Sequence, residues 1–110
     1  MSECRCMTPP FYYLDFDSQL LGIDETNARG GEVTIETCKA CGKKWLRYFV
    51  EYPSFSESGR WYRGLVTPEM IESLTPEQVP ELLAHLPWYF YGGSYFRTTG
   101  RKGNGTVWID

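Results

Sequence analysis

Four cysteines are the residues of this chain best placed to do chemistry, and they fall into two close pairs, Cys4-Arg5-Cys6 and Cys38-Lys39-Ala40-Cys41-Gly42. Four thiolates complete a tetrahedral shell around one soft ion, and a two-residue spacer lets Cys38 and Cys41 reach that ion from a tight turn. Gly42 supplies the permissive backbone where such a turn closes. The one-residue spacer of Cys4 and Cys6 is shorter than the usual structural spacing, but in a strand it puts both side chains on one side, which still allows a shared ion. In a reducing compartment a paired cysteine pattern points to metal before disulfide. Thiolates select zinc over magnesium or calcium, and a site closed by four of them is structural. An iron–sulfur cluster fits the same donors. A thioredoxin-like redox pair does not suit Cys38 and Cys41, since no βαβ pattern surrounds them.

The other candidates are weaker. His85, the single histidine, lies between Leu83 and Leu86 on a leucine-rich helical stretch, as an edge-of-core side chain does, with no nucleophile beside it. Gly100-Arg101-Lys102-Gly103-Asn104-Gly105-Thr106 lacks the Gly-Lys-Ser/Thr ending and following helix of a phosphate loop, and reads as a hairpin turn. Asp15 and Asp17 share a strand face in this reading, as a solvated face requires. Asn104-Gly105-Thr106 matches a glycosylation acceptor that has no meaning in a chain kept inside the cell. The mixture of rings and cations in Lys43, Lys44, Trp45, Arg47, Tyr48, Arg60, Trp61, Tyr62 and Arg63 suits either base stacking with phosphate contacts or a protein-binding hot spot. It equally suits a core of rings with a rim of cations.

The elements that position these residues follow from periodicity. Tyr12, Leu14 and Phe16 alternate with polar neighbours and predict a strand near 11–17. A polar loop over 24–31 leads to a second strand, Glu32–Thr37, which runs into the Cys38 turn. Lys44–Tyr52, apolar on both faces, predicts a central strand, so strand, turn and strand form a metal-pinned hairpin. After a turn-rich loop at 53–59, Arg60–Val66 is a further strand. Thr67-Pro68-Glu69 starts a short helix and Thr75-Pro76-Glu77-Gln78 repeats the signal, with the second helix beginning near Pro80 and ending before Pro87. Residues 95–98 and 106–109 frame a closing β-hairpin with Asn104-Gly105 near its tip. The expected architecture is one α+β domain over residues 1–110. It is a small antiparallel β-sheet with a zinc-ribbon-like four-cysteine knuckle, one or two short helices and a C-terminal β-hairpin.

Composition narrows the function. The 110 residues include 18 aromatics, and the formal net charge is -3, which argues against holding nucleic acid by bulk electrostatics. No apolar run approaches a membrane span and no signal-peptide layout opens the chain, so a cytoplasmic location is expected. The charge is segmented. Residues 1–36 carry -5, 37–66 carry +4, 67–96 carry -4 with four glutamates and no base, and 97–110 carry +2. Such blocks either form opposed faces or pair across strands.

Cys38-Lys-Ala-Cys41-Gly42-Lys-Lys-Trp45, the Gly59-Arg60-Trp61-Tyr62-Arg63 segment and Gly92-Gly93-Ser94-Tyr95-Phe96 together resemble small immunity proteins found beside bacterial polymorphic toxins, from about residue 36 onwards. The resemblance implies a non-enzymatic partner that binds a toxin domain and blocks it, with no small-molecule substrate, and it assigns no toxin-contacting residue. The alternative is a zinc-ribbon nucleic-acid-binding protein using the basic and aromatic 37–66 segment.

Overall fold

The computed structural model describes residues 4–9, 11–27, 30–51, 59–93 and 96–107. A six-stranded antiparallel sheet runs in sequence order: β1 (Phe16–Asp24), β2 (Gly31–Cys38), β3 (Lys44–Val50), β4 (Arg60–Val66), β5 (Tyr89–Gly93) and β6 (Thr98–Gly103). Two short helices, α1 (Pro68–Ile71) and α2 (Val79–His85), fill the connection from β4 to β5.

Pairing registers sort the side chains. Glu36 lies opposite Trp45, Thr34 opposite Arg47, Trp45 opposite Leu65, Arg47 opposite Arg63 and Arg63 opposite Phe90. Because residues directly across a ladder point the same way, these share one face with Phe16 and Cys38. Val33, Leu46, Tyr48, Val50, Tyr62, Val66 and Tyr89 take the other face. The helices cover that second face through Val79 and Leu83, forming the larger core. The first face has its own smaller core of Cys6, Phe16, Cys38, Trp45 and Phe90, roofed by Met7 and Phe11 of the N-terminal segment. The sheet is thus apolar on both sides, which is why β3 shows no alternation in sequence.

Helix boundaries follow the local signals. The Thr67 hydroxyl accepts the Met70 amide at 3.3 Å, and the Gln78 side chain accepts the Thr75 amide at 3.0 Å. The Thr75-Pro76 start produces a 3-10 turn over Pro76–Gln78, and α2 follows directly. Pro80 sits in its first turn, where a missing donor costs nothing.

Two sequence expectations are corrected. Residues 11–17 are not a strand: Tyr13–Asp15 form a 3-10 turn and β1 begins at Phe16. The alternation of rings there reflects a segment laid over the sheet face, with Tyr12 and Tyr13 turned outwards. Asp15 and Asp17 therefore share no strand face. The closing hairpin is also shifted, since β5 pairs with β6 through Tyr89↔Gly103, Phe90↔Lys102 and Tyr91↔Arg101. Gly100–Gly103, expected at a turn, is strand, and its partner is Tyr89–Gly93. Residues 108–110 and most of the 53–59 loop lie outside the described residues.

Candidate metal centre

The two cysteine pairs come together. All four sulfurs lie within 4.8 Å of one another, with Cys4 Sγ 3.6 Å from Cys38 Sγ and Cys6 Sγ 3.6 Å from Cys41 Sγ. A disulfide needs about 2.05 Å, so none is formed. Four thiolates at metal bonds of about 2.3 Å in a tetrahedron stand about 3.8 Å apart, close to the two 3.6 Å separations. The four sequence-predicted ligands thus form a set that could hold one metal ion.

Local structure explains how each pair presents itself. Cys38 closes β2, its amide donating to the Lys43 carbonyl while its own carbonyl accepts from Gly42, both at 2.9 Å. Gly42 stands at φ +78, the left-handed region that completes the turn. Cys4 and Cys6 are not in a strand as their spacing suggested. Arg5–Met7 is a 3-10 turn closed by Met7 N–H to the Cys4 carbonyl at 2.9 Å, which swings both sulfurs to one side. A further tie from the Lys39 amide to the Asp15 carbonyl at 3.0 Å holds the far end of the N-terminal segment to the same turn.

The donors differ electrostatically. Burial pushes the Cys6 thiol up to about 12. Burial would raise Cys38 as well, but the amides of Cys41 and Ala40 donate to its sulfur and bring it down to about 7. Hydrogen bonds to the charged form of a ligating sulfur are what a thiolate site requires. Trp45 gives a second indication. Its indole is wholly buried, its Nε1–H has no hydrogen-bond partner among the described residues, and it favours the charged form of Cys6. A sulfur carrying negative charge is the acceptor that such a buried donor calls for. The residues present fit a thiophilic ion.

The remaining candidates separate cleanly. His85 is exposed rather than at the edge of the core, its Nδ1–H donating to the Glu81 carbonyl at 2.8 Å. Of the nine rings and cations named between Lys43 and Arg63, five are buried: Trp45, Tyr48, Arg60, Tyr62 and Arg63. They are not available to stack on bases or meet phosphates at the surface.

Sequence reasoning missed a second cluster. Glu36 and the guanidinium of Arg63 form a buried ion pair through Nη1 and Oε1, with Ser18 Oγ donating to the other carboxylate oxygen at 3.4 Å. The Arg63 guanidinium carbon lies 4.2 Å from the Phe16 ring centre, 4.6 Å from Phe11 and 5.3 Å from Trp45. The signal was present as an arginine at the inward phase of a central strand, Trp61-x-Arg63-x-Leu65, matching Trp45-x-Arg47-x-Phe49 across the ladder. Beside this pair opens a cleft of about 1020 Å³.

No protein-family model matches this chain, and neither a curated protein nor a solved structure matches it significantly. Among the described residues no helix is long and apolar enough to cross a membrane.

Proposed function

We propose that this chain is a non-enzymatic protein-binding module, of the kind represented by bacterial immunity proteins, held together by a structural zinc on Cys4, Cys6, Cys38 and Cys41. Its acidic helical layer meets a basic partner, a toxin domain in the most concrete version of the reading. Zinc is favoured over other divalent ions because all four donors are thiolates. With four protein ligands the ion has no position left for a substrate, so its work is to fasten the N-terminal segment across the sheet.

The observation that carries the reading is the fate of the 67–96 block. Glu69, Glu72, Glu77 and Glu81 are all exposed, make no ion pair among the described residues, and sit in the layer that covers one sheet face. The buried arginines lie on or within the sheet. The charge of the 67–96 block is therefore not cancelled among the described residues, and a surface of one sign steers association and rejects like-charged partners.

The test is capture of the protein encoded beside this chain by the zinc-loaded module, with the four glutamates replaced by Lys in a second sample. Binding that weakens at least tenfold on replacement, and that falls with salt, supports the reading. Absence of any complex with that neighbour, or a complex indifferent to the four replacements, overturns it.

A further inference from the structure

The cleft beside Arg63 lies on the sheet face opposite the helices. Tyr12, Tyr13, Trp61 and Arg97 stand around a floor of Glu36, Arg47 and Arg63. Its floor is electrostatically unfinished. Arg47 and Arg63 stand directly opposite each other on neighbouring strands, an arrangement that is unfavourable when nothing lies between like charges. Glu36 pairs directly with Arg63 alone. Arg63, only 3% exposed, leaves Nε and Nη2 without hydrogen-bond partners among the described residues. Arg47 makes no ion pair or hydrogen bond among the described residues, and its guanidinium rests 5.0 Å from the Phe49 ring centre. Burial works against the charge of both arginines, an effect only partly offset by the carboxylate of Glu36 and, for Arg47, also by that of Glu32.

A site with surplus cations in its floor and rings in its walls is built for an anion attached to a flat body. We infer that this cleft binds a ligand of the nucleotide class, a phosphate meeting the Arg47 side of the floor and a planar base lying against Trp61 and the tyrosines. Two features favour a nucleotide over a small aromatic acid. The volume is at the upper end for small-molecule sites, more than a single ring fills. Arg47 and Arg97 both line the cleft, and two cations match a phosphate dianion better than one carboxylate. The inference is independent of the protein-binding reading, since cleft and glutamates occupy opposite sides of the sheet.

The probes are 5′-mononucleotides, inorganic phosphate, a single-stranded tetranucleotide with a 5′-phosphate and an acidic hexapeptide, titrated calorimetrically into the zinc-loaded full chain. Saturable binding of a mononucleotide is expected, weakened at least tenfold by Arg47→Gln and unchanged by Lys43→Ala, an exposed cation outside the cleft. Arg47→Lys should recover part of the loss. Tyr13→Ala, at a ring 77% exposed, cannot unfold the chain and should weaken the mononucleotide but not phosphate. If the tetranucleotide binds more tightly than the mononucleotide, the source is a strand end; if not, it is a free nucleotide. Absence of nucleotide binding at millimolar concentration overturns the inference, as does phosphate binding equal to that of nucleotide. Arg47-dependent binding of the hexapeptide alone also overturns it, in favour of a protein ligand.

Discussion

Replacing Glu36 by Gln keeps the shape of the buried pair and removes its negative charge. Arg63 is then a guanidinium 3% exposed with two nitrogens already lacking acceptors, and its remaining company is three aromatic rings and the cation of Arg47. Breaking one side of a buried pair costs about 3–5 kcal/mol, because the surviving charge stays out of water. Against a stability of about 5–15 kcal/mol for a domain this size, that is a substantial fraction. The rings soften the loss, each cation–π contact retaining about 0.5–2 kcal/mol. Removing the charge altogether should recover most of it, since Met at position 63 packs against Phe11, Phe16 and Trp45 without desolvating a cation. Urea unfolding of the zinc-loaded protein, followed by tryptophan fluorescence, should give Glu36→Gln a loss of about 3 kcal/mol or more. The double variant Glu36→Gln/Arg63→Met should return to within about 1 kcal/mol of the parent; since Arg63→Met alone strands the buried Glu36 carboxylate and should also cost about 3 kcal/mol, the coupling is about 5 kcal/mol. A Glu36→Gln loss below about 1 kcal/mol, or additive effects of the two substitutions, would refute the idea that this pair is a dry, mutually dependent unit.

Other consequences are as direct. Burial pushes the Asp24 carboxyl up, but hydrogen bonds from Thr26 and from Tyr48 Oη, the latter at 2.6 Å, outweigh it and hold the group below its ordinary value of 3.8. A lowered carboxylate stabilises the fold above the unfolded value and loses that contribution as pH falls through it. The acid limb of a stability–pH curve should therefore be shallower in Asp24→Asn, and an unchanged limb would refute this assignment. Tyr48→Phe removes a hydrogen bond to a buried charge and should cost about 1.5–3 kcal/mol in chemical denaturation. At Gly31 an added Cβ would lie 2.1 Å from the Tyr48 ring, so Gly31→Ala should lower the melting temperature, and a neutral result would contradict the packing described. Gly42→Ala meets no atom within 4 Å but is strained by its backbone. It should weaken metal retention in a chelator competition while leaving the melting of the loaded protein lowered by only about 1 kcal/mol in stability.

Local signals were legible where chemistry is local. The Cys38–Gly42 turn, the strand Arg60–Val66 and the paired Thr-Pro helix starts stand where their residue types place them. Alternation misled at Tyr12, Leu14 and Phe16 because a segment draped over a sheet face can show a two-residue period without being a strand. The closing hairpin slipped for a related reason. Its glycines were read as turn residues, whereas Gly100 lies in β6, where an added Cβ would strike Pro9 of the N-terminal segment at 2.5 Å. That demand comes from a contact some ninety residues away and leaves no trace in the neighbouring sequence. The same holds for the cleft, since Arg47 and Arg63 become neighbours only once the register of β3 and β4 is set. Of the metal centre, the residues could be read and the 3-10 geometry of Cys4 and Cys6 could not.

The proposed zinc site requires the four sulfurs to act as one ligand set. X-ray absorption at the zinc edge, on protein purified under reducing conditions with its metal content measured in parallel, addresses that directly. One zinc per chain surrounded by four sulfurs at about 2.3 Å is the predicted result. A metal-free protein whose fold and N-terminal segment are unchanged by chelation, or an ion bound through nitrogen or oxygen, would contradict it.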